Sequence, residues 1–132
     1  MRGVEIVGTL LREYEPLVAL VPVASIKEDM LPENQLGIVL KSVSLTDRQT
    51  LAREPLVRSV ERVSATVRAV SVADRDARLV MVRRCLTLWT GNILGDAQRI
   101  SILSAGAGPS LLGPGNSFER THDFRVSYDA PR

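Results

Sequence analysis

Between Arg62 and Ala69 polar and apolar residues alternate without a fault. Arg62, Ser64, Thr66 and Arg68 fall on one side, Val63, Ala65, Val67 and Ala69 on the other. A period of two predicts a strand with one buried face. Ser71 and Asp74 then stand three apart ahead of an apolar-periodic run, in the manner of a capping box with Asp in the acidic position. The spacing predicts a helix over 72–90. Its apolar positions are Ala77, Val80, Met81, Cys85 and Leu88, widened by Leu79, Val82, Leu86 and Trp89. Asp74, Arg75, Asp76, Arg78, Arg83, Arg84 and Thr87 supply the wet side. Neither element is stable alone, so each is expected to cover the other.

Around this pair the remaining pattern builds a sheet. Val4, Val7, Leu10, Leu11, Tyr14, Leu17, Val18 and Val21 recur at helical spacing from about Gly3 to Leu20. Pro16 divides that helix into one ending near Tyr14 and a short turn of helix behind the proline. Ala24–Lys27 predicts a short edge strand. Leu36–Val43, apolar at both parities, predicts a strand buried on both sides for part of its length. Ser44–Pro55 is polar and without alternation, which predicts a long hairpin loop or arm. Gly91, Asn92 and Gly95 are expected to end the helix and turn the chain. Gln98–Ser104 alternates again, Ala105–Asn116 reads as a Gly/Pro-rich connection, and Ser117–Asp129 alternates over its whole length. The expected architecture is α+β, a mainly antiparallel sheet of four to five strands with two helices packed on one face. The path from the central strand through its helix to Gln98 predicts two parallel strands joined by a right-handed crossover.

Length and charge narrow the classes. A chain of 132 residues supports one core and is too short for two ordinary ones. Aromatic residues are only 4% of the chain, which argues against base-stacking platforms and aromatic ligand cages. Residues 1–66 carry 8 basic and 9 acidic side chains and residues 67–132 carry 9 and 6, for a net +2. That excess is too small to indicate nucleic-acid binding. A single cysteine excludes an intrachain disulfide and fits a reducing compartment. Glu5, Arg12 and Glu13 interrupt the early apolar residues, so neither a signal peptide nor a transmembrane span is expected, and folding in a cytoplasm is.

Candidate chemistry is sparse. His122 is the sole histidine, which excludes a multi-histidine metal site. Pairing it with Cys85 as a nucleophile requires that cysteine to leave the apolar helix stripe, where it reads as a core filler. Asp74 and Asp76 lack the spacing of a calcium loop and suit a helix N-terminus. The glycines of 105–116 lead into a strand with no Gly-Lys-Ser/Thr, unlike a phosphate loop. No catalytic residue, metal or cofactor is predicted. The residues singled out are polar ones placed to meet a partner. Arg120 and His122 lie on an otherwise apolar strand face and are expected to emerge where the helices stop covering the sheet. Arg83 and Arg84 lie on the helix, where a solvated face is the simplest reading and a protein contact the alternative. Arg48 and Arg53 lie in the polar 44–55 segment.

The chain resembles the small tail-completion, or tail-terminator, proteins of long-tailed bacteriophages. The features are the proline-led second turn Glu15–Val21, the Leu31-Pro32-Glu33-Asn34 turn before the strand Ile38–Val43, and the strand Arg62–Ser71 with its arginine-bearing helix. Gly113-Pro114-Gly115 and the closing strand Ser117–Val126 complete the pattern. The resemblance implies a homo-oligomeric ring, commonly a hexamer, that caps the tail tube and joins it to the head. The implied partners are the tail tube protein and a head-completion or connector protein, with at most non-specific contact to passing DNA and no membrane. The implied location is the virion neck, after assembly in the host cytoplasm. A small α+β binding or regulatory domain, monomeric or dimeric, that holds a peptide or ligand is the alternative.

Overall fold

The computed structural model describes residues 2–33, 35–48, 55–93 and 97–131. Helix α1 (Gly3–Arg12) buries Val4, Ile6, Val7 and Leu11 and leaves Glu5 in water. Pro16 stands in the first turn of α2 (Glu15–Val18), where its missing N–H costs nothing, so the chain breaks and restarts as the sequence predicts. A 3-10 turn at Val23–Ser25 leads into β1 (Ile26–Glu28). There follow β2 (Gly37–Asp47), β3 (Leu56–Ala69), α3 (Val72–Leu86), β4 (Thr90–Ile93), β5 (Ala97–Ala107), β6 (Leu111–Leu112) and β7 (Phe118–Pro131).

The strands form one sheet in the order β1-β2-β3-β7-β5-β4, with β6 added to β7. It therefore has seven strands rather than four or five, and it is mixed, because β1 runs parallel to β2 while the other pairs are antiparallel. β3 and β7 pair without a break from Leu56↔Pro131 to Ala69↔Phe118. On β3, Val63, Ala65, Val67 and Ala69 are fully buried, as their alternation requires. Ile38, Leu40, Ile100, Ile102, Phe124, Val126 and Tyr128 join them in a core that the three helices cover. β3 and β5 both run opposite to β7, so they share a direction as expected. They are not neighbours, because the C-terminal strand inserts between them.

Ser71 caps α3 through a 3.1 Å bond accepted from the Asp74 N–H. The buried stripe of α3 is Arg75, Leu79, Val82 and Leu86, while Ala77, Val80 and Leu88 are exposed. The residues expected only to widen the stripe thus form its centre. Arg75, assigned to the wet side, lies inside with its guanidinium 3.0 Å from Asp76. The helix also stops at Leu86 rather than Thr90. Leu88 donates to the Ile102 carbonyl and Trp89 accepts from the Ile102 N–H. Pairing with β5 thus takes the backbone that would have continued the helix, and β4 forms where a turn was expected; Gly95 lies outside the described residues.

The 44–55 segment is shorter as a loop than its composition suggests. Ser44–Asp47 belongs to β2, pairing with β3 beyond a bulge at Val43. That extra residue shifts the parity of the strand and hides its alternation. Residues 49–54 lie outside the described residues. In the same way β5 extends to Ala107, and β6 and a 3-10 turn at Pro114–Asn116 fill the supposed Gly/Pro connection. Gly37 holds the top of the sheet at φ +154°, where an added Cβ would lie 2.2 Å from the Ser25 carbonyl oxygen. Only glycine lets β1 approach β2 there.

Candidate subunit interface

The six singled-out residues do not form one cluster. Arg48 is exposed at the end of β2, where its N–H donates 2.7 Å to the Arg58 carbonyl. Arg53 lies outside the described residues. Arg83 and Arg84 are exposed on the last turns of α3 and, with Val80 and Thr87, line an open hollow of about 360 Å³. Arg83 is close enough to His122 for its charge to act on the imidazole, as does Arg120. Arg120 and His122 share the inward face of β7, Arg83 and Arg84 share the hollow on α3, and Arg48 stands apart at the end of β2.

His122 does not emerge from the sheet. Only 3% of it is exposed, because its ring packs 4.6 Å from that of Phe124 under the helix layer. Arg120 is half-buried and donates 3.0 Å to the Gly108 carbonyl, holding the β5–β6 connection. Strand parity turns both side chains inward correctly; what the pattern does not show is how far α3 extends over them. His122 Nε2 shares a 2.7 Å hydrogen bond with Ser104 Oγ, and Nδ1 is buried with no partner among the described residues. A Ser–His–acid relay needs a carboxylate at that nitrogen. Asp123, the adjacent acid, instead pairs 2.9 Å away with Arg62 on the opposite face.

Burial and then the Arg83 charge lower the His122 pKa from its ordinary value, with Arg120 adding to the effect and Asp123 opposing it. A base depressed in the folded state contributes stability that is present above its unfolded pKa, about 6.5, and is lost as pH falls through the folded value. Wild type should therefore lose thermal stability between pH 7 and pH 5 more steeply than His122→Gln, as melting curves at each pH will show. Equal slopes would mean that the imidazole titrates in the folded protein as it does in the unfolded chain.

Cys85 is held away from this pair. Its thiol donates 3.5 Å to the Leu10 carbonyl of α1, and burial pushes its pKa up to about 11, which leaves little thiolate at neutral pH. Among the described residues no three His, Cys, Asp or Glu side chains are grouped to hold a metal.

The sheet face away from the helices is polar and largely self-paired. Arg68 bonds Glu119 at 2.8 Å and the Pro32 and Gln35 carbonyls at 2.8 and 3.1 Å, tying the β1–β2 connection to the sheet. Thr66 meets Thr121 at 2.7 Å, and Arg58 and Arg99 both bind Asp129. The Arg99 hydrogen bond is the largest influence holding the Asp129 carboxyl below the usual carboxylate range. Arg68, Glu119, Thr66 and Thr121 line an open hollow of about 340 Å³ bordered by Met30, Lys41 and Leu111. At its border Met30 and Leu111 are 73% and 56% exposed, an apolar rim that a lone molecule gains nothing by displaying.

A fully buried carboxylate escapes the sequence reading. Glu61 accepts from the N–H groups of Gly3 and Val4 at 3.2 and 3.0 Å and from the Tyr128 hydroxyl at 3.2 Å. It caps α1 from inside the sheet, where the helix dipole favours negative charge. Burial and then this carboxylate push the Tyr128 phenol up to about 12. The available signal is parity, since Glu61 stands two residues before Val63 on the inward face.

No protein-family model matches the chain, and no curated protein matches its sequence. Among solved structures the fold is similar to a chain from the virion of a native gene transfer agent particle, with a TM-score of 0.72 and 15% identity. The match covers 98% of this chain and 100% of the other. At that identity the likeness is one of fold, and it runs over essentially the whole length of both chains.

Proposed function

We propose that this chain is a structural virion protein of a phage-like particle, with no enzymatic role, that closes the tail tube and joins it to the head as a ring of copies. The observation that carries the reading is the end-to-end fold match with a virion chain, which leaves neither chain a sizeable unmatched part. The exposed apolar rim and the self-paired polar face support it, since they offer contact surface and no reactive constellation. Repeated head-to-tail contacts close into a ring when the rotation permits. The proposed partners are further copies of the chain, the tail tube protein and a head-completion or connector protein. The place is the virion neck, after assembly in the host cytoplasm. A net charge of +2 suits non-specific contact with passing DNA at most. No helix among the described residues is long and apolar enough to cross a membrane.

β2 ends at Asp47 and β3 begins at Leu56 at one end of the sheet, while β5 ends at Ala107 and β7 begins at Phe118 at the other, so the two connections leave from opposite ends. Shortening them separately, with folding verified by circular dichroism, is expected to block different steps, capping of tails in one case and joining to heads in the other. Infectious particles from both deletions would overturn the assignment. A binding module is favoured only by the 340 Å³ hollow and requires a monomer or isologous dimer at every concentration and in every particle sample.

A further inference from the structure

Both sides of the sheet end in a strand that is only partly covered. β1 pairs with β2 at Ile38–Leu40 alone, and the Asp29 N–H then takes the Leu40 carbonyl. From Lys41 to Asp47, β2 has β3 on one side and no described strand on the other. Across the sheet, β4 covers β5 from Ala97 to Ser101, and Ile102 is bonded to Leu88 and Trp89. From Leu103 to Ala107, β5 has β7 on one side and, again, no described strand on the other. Val43 and Leu45 are 56% and 50% exposed along the first edge, and Leu103 is 47% exposed on the second. Such edges pair with other chains unless something protects them, and Leu103–Ala107 contains no charge or proline.

We propose that these two edges are each other's partners: β2 of one copy adds as a strand to β5 of the next, and the sheet continues from subunit to subunit. This rests on the ring reading and names the contact that would build it. Direction favours it. β2 runs opposite to β3, and β5 runs with β3, so a rotation about an axis along the strands sets them side by side in antiparallel. Height favours it too. Cross-strand rows connect Ser44 through Arg62 and Arg125 to Leu103, and Leu45 through Glu61 and Val126 to Ile102. The two edges therefore meet without a rise along that axis, the condition for a closed ring rather than a filament. A two-fold contact of β2 with itself covers one edge in each subunit and leaves β5 open. The head-to-tail contact covers both, through main-chain hydrogen bonds flanked by Val43, Leu45 and Leu103.

The test is cysteine cross-linking in a Cys85→Ser background. Ser44, Thr46 and Leu103 share the outer face, and Ser44 and Thr46 bracket a register offset of two. Ser44→Cys with Leu103→Cys, or Thr46→Cys with Leu103→Cys, is expected to yield a covalent ladder on oxidation, ending at the subunit number of the ring. The single variants should yield no ladder. In unmodified protein, assembly should slow amide exchange in Lys41–Asp47 and Leu103–Ala107. Rings that form with neither ladder nor added protection overturn the edge contact and leave the ring standing. Covalent dimers from Ser44→Cys alone as the main product replace it with a two-fold. Monomers in concentrated protein and in particles alike overturn both readings.

Discussion

Val67→Asp is expected to abolish cooperative folding or to lower Tm by roughly 10 °C or more. Val67 is fully buried on the inward face of β3, within the core beneath the helices. Arg120 stands opposite on β7 with one of its five N–H donors given to the Gly108 carbonyl, so a carboxylate at 67 either pulls that arginine off the β5–β6 connection or stays unpaired. Burying an unpaired charge costs several kcal/mol, about 3 at the least, against a total stability of about 5–15 kcal/mol for a domain of ordinary size. Thr66→Asp, one residue away, points to the polar face. It loses one hydroxyl bond to Thr121 and is expected to cost about 1 kcal/mol. Thermal melts of the two variants check the register directly, and equal melting temperatures would contradict it.

The second large effect is expected at Glu61. Glu61→Leu leaves the Gly3 and Val4 N–H groups and the Tyr128 hydroxyl without their acceptor in a site closed to water. Unsatisfied buried donors cost about 1–3 kcal/mol each, part of which relaxation recovers, so a net loss of about 3–5 kcal/mol follows. Glu61→Gln keeps one carbonyl oxygen and turns an amide toward the other donors, which places it between wild type and Glu61→Leu. Chemical denaturation orders the three proteins. Glu61→Leu as stable as wild type would show that α1 does not depend on this cap. Gly3 belongs to the same device, since a Cβ there would approach Glu61 Cδ to 2.9 Å, which explains glycine at the start of α1.

These two positions mark what was legible in the sequence. Val67 was readable because a strand buried on one face writes its geometry into every second residue. Glu61 has the same parity, but its partners lie 58, 57 and 67 residues away, and no local pattern announces them. The Ser71 cap was readable for the same local reason as Val67. The buried stripe of α3 was not, because apolar residues occupy two adjacent stripes. Leu79, Val82 and Leu86 go to the sheet, while Met81 and Cys85 pack at its margin and Cys85 meets α1. Which stripe faces the sheet is settled by tertiary contact. β4 and the outer half of β2 were missed because edge pairing and a bulge override local propensity. Of the candidate site, the inward direction of Arg120 and His122 was legible and the burial of His122 under the helix layer was not.

The measurement that tests the central claim most directly is an electron-microscopic reconstruction of the particle neck at a resolution that traces strands. The account predicts a closed ring of this chain between the end of the tail tube and the head, with every subunit in the same orientation. A neck without the chain, or copies present only as monomers or two-fold pairs elsewhere in the particle, would contradict it.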